Sequence, residues 1–86
     1  MAKFFFHICN GDGFTQDEEG TDLPDAEAAR SFALTSARSL MADELRDGLL
    51  NLSSFIEVES EGEHLFTVTF EEAVKIEREG PRRPRN

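Results

Sequence analysis

Eighty-six residues carry eighteen acidic and nine basic side chains, a formal net charge of −9, and 38% hydrophobic residues with eight Phe and no Trp or Tyr. That is one small domain with enough apolar residues to fold, and it excludes a second core and a disordered chain. Arg82, Arg83 and Arg85 cluster at the end, so residues 1–81 hold six basic against eighteen acidic residues, a net of −12 that repels phosphate backbones and argues against general nucleic-acid binding.

Lys3 to Cys9 reads as a strand, rich in Phe and Ile. Phe4, Phe6 and Ile8 share one face, and Phe5, His7 and Cys9 share the other. Asn10-Gly11-Asp12-Gly13 is turn chemistry. Phe14-Thr15-Gln16 returns as a short second strand. Asp17-Glu18-Glu19-Gly20 makes another turn, and Thr21-Asp22-Leu23 adds a brief strand before Pro24.

A long helix is expected from Asp25 to about Leu50. Leu23 precedes proline and is pushed out of helical space, and Asp25 is a good N-cap. Ala26, Ala29, Ala33, Ala37, Leu40 and Met41 recur at three- and four-residue steps, widened by Leu34 and Leu45, as on an amphipathic helix. So many alanines predict a close approach to a sheet. Arg30, Arg38 and Arg46 read as a solvated face paired with residues such as Glu27 and Asp43. Gly48 weakens the last turn and Asn51 stops it.

Ser54 to Ser60 and His64 to Phe70 read as a closing hairpin. A two-residue loop at Glu61-Gly62 sets Val58 opposite Leu65. A three-residue loop, Glu61 to Glu63, sets Val58 opposite Phe66 and Ile56 opposite Val68. A one-residue slip turns every side chain to the wrong face, so the second register is expected. Glu71 to Glu79 is a short helix or an edge strand, with one helical turn after Phe70 preferred. Residues 1–79 form the domain, and 80–86 form a flexible basic tail.

The predicted outer sheet face carries Phe5, His7, Cys9, Phe55 and Leu65 among Glu57, Glu59, Thr67 and Thr69. It is less polar than a solvated sheet face. Three covers are open: a second copy, another protein, or the segment Ala73-Val74-Lys75-Ile76.

Catalytic signals are absent. No Ser, Thr or Cys sits in a nucleophile motif, and Gly11-Asp12-Gly13 has no helix behind it to cradle phosphate. His7 and Cys9 project together from one strand, with Asp12, Asp17 and His64 in possible reach. One Cys and two His without paired spacing are a weak metal set. Asn10 to Phe14 opens like a calcium loop, but Phe14 stands where an oxygen ligand is needed. The single Cys9 permits no internal disulfide and fits a reducing compartment. Met1-Ala2-Lys3 runs straight into Phe4 without a leader pattern and no apolar run approaches the ~20 residues of a bilayer span, so no leader, a cytoplasmic location and no membrane attachment are expected.

Phe4-Phe5-Phe6-His7, then Asp17-Glu18-Glu19-Gly20-Thr21-Asp22-Leu23-Pro24-Asp25 and Ala28-Ala29-Arg30, resemble a family of short bacterial proteins of unknown function. Typical members open with Tyr/Phe-Phe-Phe-His and carry Asp-x-Glu-Gly-x-x-Leu-Pro-Asp before an Ala-rich helix. They end a hairpin near Val-Pro-Phe, where this chain has Val68-Thr69-Phe70. The resemblance covers most of residues 3–76 and implies no activity or catalytic residues. The layout is also similar, at the level of fold, to HicB-type antitoxins, which pair with a toxin.

These readings predict an α+β domain, β-β-α-β-β, with an antiparallel sheet of about four strands and one long helix on one face. The expected function is a non-enzymatic interaction or regulatory module without a cofactor. It acts through Phe5, His7, Cys9, Phe55 and Leu65 and binds itself or another, basic, protein. The alternative is a small-ligand or metal-binding module around His7, Cys9 and Asp17.

Overall fold

The computed structural model describes residues 1–81. The part of the basic tail from Arg82 onward lies outside the described residues. The elements are β1 (Ala2–Asn10), β2 (Gly13–Thr15), β3 (Thr21–Leu23), α1 (Ala26–Arg46), β4 (Phe55–Ser60) and β5 (Glu63–Thr69), followed by one 3₁₀ turn (Glu71–Ala73). All strand pairings are antiparallel. The sheet runs β2-β1-β4-β5, with β3 beside β2 on the same edge of β1. The α+β layout is therefore as expected, and the brief strand before Pro24 brings the sheet to five strands.

Helix α1 begins where the sequence says. Asp25 is extended and its side chain accepts the Ala28 N–H at 2.8 Å. Ala29, Ala33, Ala37 and Met41 are its buried residues. They pack on Phe4, Phe6, Ile56, Val58 and Val68 from the sheet. Ala26 and Leu45 fall outside this stripe and are exposed. Small side chains at four-residue steps let the helix backbone come close to the sheet.

The helix stops earlier than expected. Gly48 takes a φ of +84°, the Gly48 N–H reaches the Leu45 carbonyl at 3.0 Å, and the Leu49 N–H reaches the Glu44 carbonyl at 3.3 Å. This is a Schellman cap, so Gly48 is the stop itself and Asn51 lies beyond it.

The closing hairpin satisfies two demands that conflict in the sequence. Val58 pairs with Phe66 and Ile56 with Val68, the register that the apolar pattern requires. Yet Ser60 pairs with Glu63, so the turn is the two-residue one, Glu61-Gly62, both with positive φ. Positive φ at both positions matches the twist of a hairpin. The three-residue loop is thus corrected. A register shift between Val58 and Glu59 leaves Leu65 as the extra residue of a bulge.

The 3₁₀ turn is fixed to the helix. The Thr69 hydroxyl accepts the Glu72 N–H and the Glu72 carboxylate accepts the Thr69 N–H, both at 3.1 Å, a reciprocal cap. The Arg30 guanidinium donates to Glu72 at 2.6 Å and Arg38 Nε donates to the Ala73 carbonyl at 2.7 Å. Only Arg46 pairs within the helix, with Asp43. Ala73 is buried in the helix-side core, while Val74 and Ile76 are exposed. The segment from Ala73 to Ile76 therefore does not cover the outer face.

Candidate functional site

The β1 part of the outer face, around His7, is covered by the loop between β2 and β3. β2 and β3 hold the two ends of one edge of β1, with Ile8 opposite Thr15 and Phe4 opposite Thr21. Residues 16–20 between them are too many to continue the ladder.

Asp17 takes over in the gap. Its Oδ2 accepts the Phe6 N–H at 3.1 Å, and its Oδ1 accepts the N–H groups of Glu19 at 3.2 Å and Gly20 at 3.0 Å. Burial pushes this carboxyl up, but the bonds from Gly20, Phe6 and Glu19 outweigh it and hold the group below the usual aspartate range. Gly20 is obligatory here. Its φ is +74°, and a Cβ would lie 2.7 Å from Lys3 Cγ and 2.9 Å from Phe5 Cε2.

His7 sits under this loop and is buried, at 6% exposure, although it is on the face away from the helix. Its Nδ1 accepts the Asp17 N–H at 3.0 Å. The ring proton is therefore on Nε2, which donates to the Glu59 carboxylate across the sheet. Phe5 stacks beside the imidazole with centroids 6.4 Å apart, and Phe14 tilts against it at 5.7 Å.

Four of the five residues expected on this face lie on β1 and β4: Phe5, Cys9 and Phe55 are half-buried and His7 is fully buried. Cys9 and Phe55 are direct cross-strand partners. The fifth, Leu65, is displaced by the bulge and is 43% exposed. Phe14, absent from the expected set, is 58% exposed above His7. Its position depends on β2 folding back through the Asn10–Gly13 turn, where Asn10 Oδ1 accepts the Asp12 N–H at 2.9 Å. Asp12 lines a separate groove with Glu44, Asp47 and Asn51, not the groove that holds His7.

Two shallow grooves share Gln16 and Glu59. One, of about 300 Å³, is lined by Phe5, Asp17, Glu18 and Gly62 as well. The other, of about 280 Å³, is lined by His7, Phe14, Glu57 and His64 as well. His64 stands opposite Glu59 on β5, and its Nε2 lies 3.0 Å from Thr67 Oγ1. The surface is thus carboxylates on β4 between an aromatic loop wall and a histidine.

A metal or small-ligand centre on His7, Cys9 and Asp17 meets groups already engaged. Both ring nitrogens of His7 have partners, and both oxygens of Asp17 accept backbone N–H groups. Burial pushes the Cys9 thiol up and the Glu57 carboxylate adds to it, which disfavours the thiolate. Among the described residues, no group of three or more His, Cys, Asp or Glu is placed to hold a metal ion. Among the same residues, no helix is long and apolar enough to cross a membrane.

Fold and site together define a small α+β domain whose outer sheet face is shielded over β1 by its own loop and edged with acid. The chain belongs to the DUF6894 family, a domain of unknown function, whose model matches residues 3–71. It matches no curated protein and no solved structure.

Proposed function

We propose that this domain is a protein-interaction module that receives a basic segment of another protein on the outer face of its sheet. The observation that carries the reading is the groove between Phe14 and Gln16 on one side and His64 on the other, with Glu57 and Glu59 on the strand between. Glu59 is held by His7, whereas Glu57 makes no ion pair among the described residues. A lysine or arginine laid there meets a free carboxylate and the face of Phe14. Phe5, Cys9, Phe55 and Leu65 supply the apolar surroundings. A groove this open suits a side chain of a larger partner better than an enclosed metabolite.

The test is native mass spectrometry of the protein isolated gently from its own cells, beside Glu57→Lys. Glu57 is half-buried on the surface, so the variant should fold with stability within about 0.5 kcal/mol of the parent. A stoichiometric basic polypeptide held by the parent and lost from the variant is the expected result. A partner retained equally by both overturns the reading.

A further inference from the structure

Beyond the groove, β5 leaves one side of its backbone unpaired. It pairs with β4 alone, and no other strand of the described residues lies beyond it. Its seven residues contain no proline and no lysine, two of the devices that discourage pairing at an edge, though a third, a bulge, is present. Its one interruption is the bulge at Leu65, and Phe66 to Thr69 continue in regular register.

We propose that β5 is a docking strand: an extended segment of the basic partner adds to its free edge as a sixth strand. The pattern of that segment follows from the two faces of β5. On the helix side, Val68 is buried and Phe66 half-buried, so the added strand extends an apolar surface there. On the outer side, β5 presents His64 and Thr67, which pair with Glu59 and Glu57 one strand further in. Neighbouring strands are about 4.8 Å apart, which puts the free Glu57 carboxylate about 10 Å from the added backbone, a gap that a long basic side chain bridges across β5. The docking segment therefore alternates apolar residues with lysine or arginine.

A second copy of this chain fits the edge poorly. From Asp47 to Val74 there is no lysine or arginine, but there are seven carboxylates, Glu57, Glu59, Glu61 and Glu63 among them. Antiparallel pairing of two β5 strands about Phe66 brings Glu61 and Glu63 of one copy toward Glu71 and Glu72 of the other, and like charges there oppose association.

The charge half of this inference rests on the groove proposed above; the backbone half does not. The probe is a capped heptapeptide alternating lysine and valine, titrated into the full chain labelled with ¹⁵N. Expected are amide shifts and slowed exchange in 63–69. N-methylation of one alternate set of peptide amides should weaken binding at least about tenfold, while the other set is tolerated, because an added strand presents only every second N–H to its neighbour. Indifference to both N-methylated sets, or no binding at millimolar peptide, overturns strand addition. If the N-methyl pattern appears but Glu57→Lys and a glutamate-for-lysine peptide bind as well as the parents, strand addition stands and the charge half, with the groove reading, fails. Concentration-dependent dimers that protect 63–69 without peptide overturn the proposal in favour of self-pairing.

Discussion

The two margins of the sheet are finished in opposite ways. On the β1 side, two three-residue strands pair with the ends of one long strand. Between them the backbone leaves the ladder, and the Asp17 side chain accepts the Phe6 N–H that has lost its strand partner. On the β5 side, a strand interrupted only by the extra residue Leu65 faces outward with no inserted loop. Closing a margin with a carboxylate costs an aspartate its solvation and returns three backbone bonds. It also ties the loop to His7, so the outer face and the margin are one unit. The open margin has no comparable network, and it is where another chain finds unpaired backbone.

Breaking the closed margin should have the largest effect. Gly20→Ala meets both a left-handed φ and collisions with Lys3 and Phe5, and we expect a loss of about 3 kcal/mol in urea unfolding. Next is Asp17→Ala, which strands the N–H groups of Phe6, Glu19 and Gly20. It should cost about 2 kcal/mol and speed hydrogen exchange at Phe6 by more than the increase that the lower global stability gives the β5 amides. Uniform acceleration across the sheet would mean that the margin is not a separate unit.

Acid sharpens the same point. The Asp17 carboxyl is held below its ordinary range, so its contribution is complete above about pH 4 and drains as pH falls through the folded value. The Thr69 N–H bond, against some burial, and the Arg30 contact hold Glu72 low with the same sign. The parent should therefore exceed Asp17→Asn in stability at neutral pH, and the two denaturation curves should converge below about pH 4. A gap that persists at lower pH would refute the assignment.

The smallest stability change belongs to the open margin. Deleting Leu65 leaves Ser60 opposite Glu63, Glu59 opposite His64 and Val58 opposite Phe66 in one unbroken register. The fold should survive within about 1 kcal/mol, but the edge becomes straighter and stickier. Sedimentation should show more self-association, and the lysine–valine peptide should bind more tightly.

Much of the frame was legible because it is local or periodic. Asp25 after Leu23-Pro24 starts the helix, and the alternation of Ile56, Val58, Phe66 and Val68 sets which residues face each other. The bulge was half legible. The apolar phase demanded one extra residue and Glu61-Gly62 demanded a tight turn, but neither says that Leu65 absorbs the difference. The sequence Thr69-Phe70-Glu71-Glu72 carries a capping-box signal, but it sits where the apolar alternation of β5 ends, so strand and cap overlap there. The site was less visible. Asp17 reaches Phe6 across eleven positions and His7 reaches Glu59 across fifty-two, and no spacing rule encodes bonds made by a loop folding over a sheet.

The alanine row on the helix has one more consequence, for motion. Ala29, Ala33 and Ala37 are equivalent contacts repeated every four residues, or about 6 Å along the axis. Such a row resists lifting but barely distinguishes one lengthwise position from the next, like a rail without stops. The stops are elsewhere: Met41 at one end, and Arg30 and Arg38 gripping the 3₁₀ turn. Two more features fix the same register: the two-residue link from Leu23 to Ala26, and the Phe32 ring 4.6 Å from that of Phe6.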